Sequence, residues 1–188
     1  FLSVETQYNQ CAKLREEIRS LSLTDELTEL YNRRGFMTLA QHQLRISNRS
    51  QRFMTLLFAD LDGLKRINDT LGHQEGDKAL IETAHALKKL FRDADIIARI
   101  GGDEFVVLLT EPNHVIKDMF MSRLHHAIEK QIVVRENPYK LSISFGMAEY
   151  DPKHPITIEE LLNKADASMY KQKRKKKINV LQNPMMNA

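Results

Sequence analysis

Two acidic residues stand side by side, Asp103 and Glu104, in the stretch ARIGGDEFVVLL (residues 98–109), between a glycine pair and an apolar run. Asp and Gly are ordinary turn residues, so alone this stretch reads as a solvated hairpin tip. A second acidic pair argues for more. Asp60 and Asp62 close the apolar run that begins at Phe53, and at i and i+2 an extended backbone points both to one side. If the hairpin flanks that strand, four carboxylates gather at one end of a sheet. Like charges so close raise each other's pKa unless a cation compensates. Carboxylate oxygens select a hard cation, and carboxylates combined with substrate phosphates suit Mg²⁺, with Mn²⁺ as an alternative. Two such ions per active site would clamp an in-line phosphoryl displacement.

Residues suited to phosphate and base recognition surround these carboxylates. Gly63 permits close backbone approach and Lys65 supplies a point charge. Gly101 and Gly102 leave the hairpin tip without Cβ atoms, which predicts room for a ligand there. GHQEGDK (72–78) superficially suggests a Walker loop, but its glycines are too close and no Ser or Thr follows Lys78. Asn68 and Asp77 each read as a turn or cap residue when taken singly. Together they offer a carboxylate for a guanine N1–H and exocyclic amine, and an amide for its O6 or N7.

Composition narrows the setting for this chemistry. Of 188 residues, 42% are hydrophobic and 28% charged, the balance of a globular protein. No apolar run approaches the ~18 residues of a membrane span, and the opening residues lack a basic-then-apolar signal pattern, so export is not expected. The lone Cys11 forms no internal disulfide, so a reducing cytoplasm is expected. The net charge is +3, yet KQKRKKK (171–177) alone carries six positive charges. The remainder is therefore acidic, which argues against nucleic-acid binding over a broad basic face. No direct membrane contact is expected from this segment. The start at Phe1 suggests a piece of a longer protein, whose preceding region could tether it to a membrane.

The elements that must position these residues follow from periodicity. Residues 4–21 fit a heptad, with Val4, Cys11 and Ile18 at one seam position and Gln7, Leu14 and Leu21 at the other. The alternative is a short amphipathic helix lying on the domain. Asn32 is a fitting N-cap for a helix carrying Phe36, Leu39, Leu44 and Ile46. FMTLLFAD (53–60) suits a strand buried on both faces. Residues 62–77 should be turn-rich with a brief helix, followed by a helix from Lys78. DIIARI and FVVLLT should form a hairpin, 113–131 a helix, and 139–150 a strand. Thr157 and Glu160 form a capping box that opens a helix over 157–175, and INVL (178–181) could be a last edge strand. This order predicts an α/β (α+β) domain with a mixed, mostly antiparallel sheet flanked by helices. The boundaries are a helical stalk at 1–22 and one domain at 23–188.

DELTELYNRRGF, FADLDGLKRINDTLGHQEGD, RIGGDEF, SISFGMA and ADASMYKQK resemble, in order and spacing, the GGDEF-domain diguanylate cyclases. The resemblance runs over about residues 23–181. It implies a palm-like fold related to nucleotidyl cyclases, and a nucleotidyltransferase of bacterial signalling that joins two GTP into cyclic di-GMP with release of two pyrophosphates. It further implies a homodimer, with Asp60, Asp103 and the Leu61 carbonyl as metal ligands. Glu104 would assist metal binding or activate the 3′-hydroxyl. Asn68 and Asp77 would read guanine, while Lys65, the Gly63–Leu64 backbone and Lys173 would hold phosphates. Asp62 matches the motif and would order the loop. RDAD (92–95) falls five residues before Gly101, where the family carries an inhibitory product site. Arg92 and Asp95 would bind cyclic di-GMP there, with Arg123 contributing across the dimer.

Two departures stand out. The family usually has Gly-Arg-Asn shortly after the lysine matched by Lys173, whereas this chain reads KKI (176–178), leaving Lys177 in place of the arginine. Gly63 stands where the family often has a bulkier residue. Neither removes a metal ligand. The alternative to an enzyme is a catalytically silent domain that binds GTP or cyclic di-GMP, and the intact Gly101–Phe105 signature speaks against it.

Overall fold

The computed structural model describes residues 22–110 and 141–182. Helix α1 (Arg33–Ser50) leads into β1 (Met54–Asp62), which is followed by α2 (Leu64–Leu71) and α3 (His73–Leu90). Then come β2 (Ile96–Arg99), β3 (Glu104–Leu109), β4 (Ser142–Tyr150) and α4 (Ile158–Gln182). The four strands form one antiparallel sheet in the order β2-β3-β1-β4. The heptad at Val4–Leu21, the helix expected over 113–131, and Arg123 lie outside the described residues.

β1 is central and its first eight residues are all buried, because both faces are covered. Alternation along the strand sorts its side chains into two cores. Leu57, Ala59 and Leu61 pack with Phe105, Val107 and Phe145 against Leu80, Ala84 and Leu87 of α3. Met54, Leu56 and Phe58 pack with Val106, Leu108 and Tyr150 against Phe36 of α1 and Leu161, Ala165 and Met169 of α4. Each fully buried large side chain contributes about 1.5–3 kcal/mol, so this double-faced packing fixes β1 firmly.

The helix ends follow the predicted chemistry. Asn32 Oδ1 accepts the Gly35 amide at 2.9 Å as the α1 N-cap. Thr157 Oγ1 accepts the Glu160 amide at 3.1 Å, and Glu160 accepts the Thr157 amide at 2.8 Å, completing the capping box.

Two expectations need correction. The long helix after Gly72 starts at His73, not Lys78, since Gly72 at φ 91° ends α2 and lets α3 begin at once. INVL is helical, because α4 runs on to Gln182 without a Pro or Gly to stop it. β4 is described from Ser142, and residues 139–140 lie outside the described set. Among the described residues no helix is long and apolar enough to cross a membrane.

Candidate active site

The alternation that sorts the cores also sorts the acids. Asp60 and Asp62 continue the Met54–Leu56–Phe58 series and so face the α1/α4 side, as does Glu104 in the Val106–Leu108 series of β3. Asp60 lies opposite Glu104 on one neighbouring strand and opposite Ser144 on the other. Like charges directly across a ladder are destabilising, so this pairing is retained for something other than stability. The Leu61 amide donates to the Asp103 carbonyl at 2.9 Å, which ties the hairpin tip to the end of β1.

Helix α4 brings a cation to this edge. Gly146 of β4 makes that approach possible, since a Cβ there would lie 2.1 Å from the Met169 amide nitrogen and 2.2 Å from the Ala165 carbonyl oxygen. One turn beyond Met169, Lys173 Nζ reaches Asp60 Oδ1 at 2.5 Å and Asp62 Oδ1 at 3.9 Å. Gln172 accepts the Phe145 amide at 2.8 Å, which pins the same turn to β4. The Ser142 and Ser144 hydroxyls each donate to Asp62 at 2.9 Å. The Asp62 carboxylate is thus tied to β4.

Burial pushes the Asp60 carboxyl up, Asp103 and Asp62 add to this, and Lys173 offsets only part of it. Burial also raises Glu104, helped by Asp103, Asp166 and Asp60. Burial opposes the charge on Lys173, but its contact with Asp60 prevails and holds its pKa above the usual value. Asp166, a residue of α4 that the sequence did not single out, therefore belongs to this acidic environment.

The four acids share one end of the sheet without closing on a point. Among the described residues, no three His, Cys, Asp or Glu side chains form a group able to hold a metal ion. The donor set still fits Mg²⁺, which is commonly held by one or two carboxylates with substrate phosphates completing its shell. Asp60 and Glu104, each pushed up by burial and by acidic neighbours, are suitable donors because a cation would relieve that repulsion.

The glycine tip differs from expectation at one of its two residues. A Cβ on Gly101 would meet Glu104 Oε2 at 2.2 Å, so that space already holds the Glu104 carboxylate. Gly102 does face open space. On the other flank, Gly63 caps α2 at φ 79°, placing Leu64 and Lys65 in its first turn, with Lys65 exposed. Asn68 packs onto Gly76, whose Cβ would lie 1.8 Å from Asn68 Oδ1, so the two expected guanine readers stand on adjoining helices with Asp77 exposed. The Lys177 side chain lies outside the described set.

Sequence reasoning missed two residues that hold the tip. Arg99 donates from Nε and Nη2 to the Gly102 carbonyl at 3.1 and 2.9 Å, and from Nη1 to Asp25 at 3.1 and 3.2 Å. Asp25 also accepts the Thr28 amide at 2.9 Å and the Thr28 hydroxyl at 2.6 Å. The Asp-x-x-Thr spacing at 25–28 was the available signal, since that pattern closes a turn. Arg92 and Asp95 do come together, but as a turn: Asp95 accepts the Arg92 amide at 3.1 Å and the Thr110 amide at 3.4 Å.

Comparisons with known proteins bear on the family and the fold. The family model "Diguanylate cyclase, GGDEF domain" matches residues 22–179. The chain is 36% identical over 159 residues to MucR, a bifunctional diguanylate cyclase/cyclic di-GMP phosphodiesterase of Pseudomonas aeruginosa, covering 85% of this chain and 23% of MucR. It is 36% identical over 169 residues to the diguanylate cyclase TpbB of the same species, covering 87% of this chain and 38% of TpbB. The chain thus spans well under half the length of these relatives. The solved GGDEF domain of TpbB superposes with a TM-score of 0.68 at 34% identity, covering 81% of this chain and 89% of that one. The coiled coil and GGDEF domain of Caulobacter crescentus DgcB, solved with c-di-GMP, superposes with a TM-score of 0.73 at 23% identity, covering 89% of each chain, and supports the fold.

Proposed function

Because the chain belongs to the GGDEF diguanylate cyclase family, we propose that it condenses two GTP molecules into cyclic di-GMP, releasing two pyrophosphates. The observation that carries this reading is the register of β1 against β3, which sets Asp60 opposite Glu104 beside the Asp103 turn. Each 3′-hydroxyl attacks the α-phosphorus of the other nucleotide. A 3′-O–P bond forms, the bond to the pyrophosphate oxygen breaks, and the hydroxyl loses its proton. Glu104, across the ladder from Asp60, is the group we assign to help hold a metal or to activate that hydroxyl.

Two Mg²⁺ ions, or Mn²⁺ in their place, would supply charge neutralisation for the phosphoryl transfer, held by Asp60, Asp103, Glu104 and the Leu61 carbonyl. The first amides of α2, at Gly63 and Leu64, lie at a helix N-terminus and suit a phosphate, with Lys65 beside them. Lys173 and Lys177 from α4 add positive charge for the phosphates. Asn68 and Asp77 read the guanine edge. One domain holds one GTP, so both reacting ends meet only when two domains face each other, and the 1–22 stalk is the element we assign to bring them together. Cyclic di-GMP is also assigned as the feedback inhibitor, bound at Arg92 and Asp95 with Arg123 from the partner. The setting we assign is the cytoplasm.

Incubating the chain with GTP and Mg²⁺ and separating the nucleotides by chromatography tests the proposal. Cyclic di-GMP and pyrophosphate in a 1:2 ratio are expected. GTP binding without product would replace the enzyme with a silent regulatory domain.

A further inference from the structure

A cavity of about 360 Å³ beside the 24–31 turn is lined by Glu29, Lys88, Arg92 and Asp95 and falls to the product site assigned to Arg92 and Asp95. Arg33, just beyond that turn, does not line it. Arg33 opens α1, in which Phe36, Ala40 and Ser47 are buried. At 3.6 residues per turn that spacing puts Arg33 on the same stripe, whose Phe36 and Ala40 pack on the α1/α4 face of the sheet. Glu104 begins the Glu104–Val106–Leu108 series on that face of β3. Arg33 therefore stands where the buried stripe of α1 runs out over the acid end of the sheet, and there it is exposed.

The backbone around Arg33 is fixed. Tyr31 bridges Ala98 of β2 in parallel, its amide donating to Ile97 at 3.2 Å and its carbonyl accepting the Arg99 amide at 2.8 Å. The bridge runs the chain toward Ile100, whose amide donates to the Glu104 carbonyl at 3.0 Å. Asn32 donates its amide to Leu23 at 2.9 Å and caps Gly35, where a Cβ would lie 2.2 Å from the Leu23 carbonyl oxygen. The Arg33 guanidinium itself makes no hydrogen bond or ion pair among the described residues. Glu104 does not take it up, because its carboxylate lies against Gly101. The positive charge still acts on Glu104, opposing the push of burial and of Asp103, Asp166 and Asp60. Across the site Lys173 is engaged by Asp60 at 2.5 Å. A planar fork of donors, anchored beside Glu104 but not claimed by it, suits bidentate contact with a phosphate.

We propose that Arg33 is a catalytic residue that donates to the non-bridging oxygens of the α-phosphate under attack. The proposal rests on the cyclase reading and adds a contact from α1 to those assigned to β1, α2 and α4. In either role assigned to it, Glu104 works at the phosphorus that the 3′-hydroxyl attacks, so a cation beside it is nearest that phosphate. As the 3′-O–P bond forms and the bond to pyrophosphate breaks, charge shifts among those oxygens. A fixed guanidinium stabilises that arrangement more than it stabilises bound GTP.

Rates of cyclic di-GMP formation at saturating GTP and Mg²⁺ test this. Arg33→Ala should lower turnover about 10²-fold, the scale for one donor to a transition-state oxygen, with little change in KM. Arg33→Lys keeps the charge without the fork and should recover part of the loss. Millimolar guanidinium ion should speed Arg33→Ala, because it replaces the missing group, whereas a merely structural loss would not respond. Arg34→Ala removes an equal charge about 100° round the helix and should stay near wild type. Melting curves check folding, and Arg33→Lys decides by its turnover if Arg33→Ala does not fold. Wild-type turnover in the deciding variant would overturn the inference and leave the cyclase reading intact. So would a loss that neither Arg33→Lys nor guanidinium relieves. If the unmodified chain makes no cyclic di-GMP, both fail.

Discussion

The carboxylate end of the sheet and the cavity beside the 24–31 turn handle their charges in opposite ways. At the sheet end, Asp60 is met by Lys173, Asp62 by two serine hydroxyls, and Glu104 folds over Gly101. In the cavity, Lys88, Arg92 and Glu29 have no partner among the described residues. Paired groups hold a geometry before any ligand arrives, which favours chemistry that depends on position. Unpaired groups on a surface cost little in water and keep their hydrogen bonds for a ligand. The difference separates a region arranged to react from one arranged to bind, and Arg99 joins them by holding Asp25 and the Gly102 carbonyl at once.

The largest expected effect breaks the reacting region alone. Asp103→Asn and Asp60→Asn should each lower cyclic di-GMP formation by at least about 10²-fold, the scale seen when one electrostatic contact to a transition state is removed. Asp60→Asn breaks the Lys173 contact but also relieves the burial and repulsion that push Asp60 up, so its melting temperature should not fall. Cyclic di-GMP affinity, measured by calorimetry, should stay near wild type in Asp103→Asn. Equal loss of turnover and product affinity in that variant would merge the two regions into one.

The sequence made the reacting region legible because its signal is local. Period-2 alternation placed Asp60 and Asp62 on one side, and the hairpin around Gly101–Gly102 followed from turn chemistry. The apolar run at 53–60 was legible as a strand buried on both faces, as β1 is. What the sequence could not show was the partner of each group, because partners arrive from distant elements. Lys173 reaches Asp60 only because Gly146 lets α4 settle on β4, a contact between segments far apart in the chain. Arg99 reads as an edge residue of a hairpin until Asp25, 74 residues earlier, is placed beside it. INVL failed differently, since its β-branched residues favoured a strand while the helix leading into it carried on.

A smaller effect should come from the link between the regions. The Arg99 side chain is 14% exposed and makes four hydrogen bonds, two to Asp25 and two to Gly102. Arg99→Met should cost about 1–3 kcal/mol of stability in urea unfolding, the range for charged hydrogen bonds that are largely shielded. It should also lower turnover about tenfold, because the tip carrying Asp103 loses its support and small misplacements are costly to catalysis. Arg99→Lys keeps the charge without the planar fork, so it should fall between the two. Full turnover in Arg99→Met would mean that the Leu61–Asp103 bond suffices to hold the tip.

The smallest effect is a pH dependence confined to the binding side of that link. Burial pushes the Asp25 carboxyl up, but the Thr28 hydroxyl and amide and the Arg99 guanidinium outweigh it and hold its pKa below the usual value of 3.8. Arg99 stays charged throughout, so Asp25 is the group that titrates. A carboxyl whose folded pKa is depressed contributes stability that is fully present above its unfolded pKa of roughly 3.9. That contribution is lost as pH falls through the lower, folded value. Asp25→Asn removes the titration and keeps an oxygen for the Thr28 amide. The gap in urea midpoint between wild type and Asp25→Asn should therefore be constant from neutral pH down to about pH 5 and narrow below about pH 4. It should also shrink in high salt, since the Asp25 side chain is 23% exposed and partly screened. A gap that stays constant to pH 3 would mean that Arg99 and Thr28 do not hold the charged form, and that the link rests on Gly102 alone.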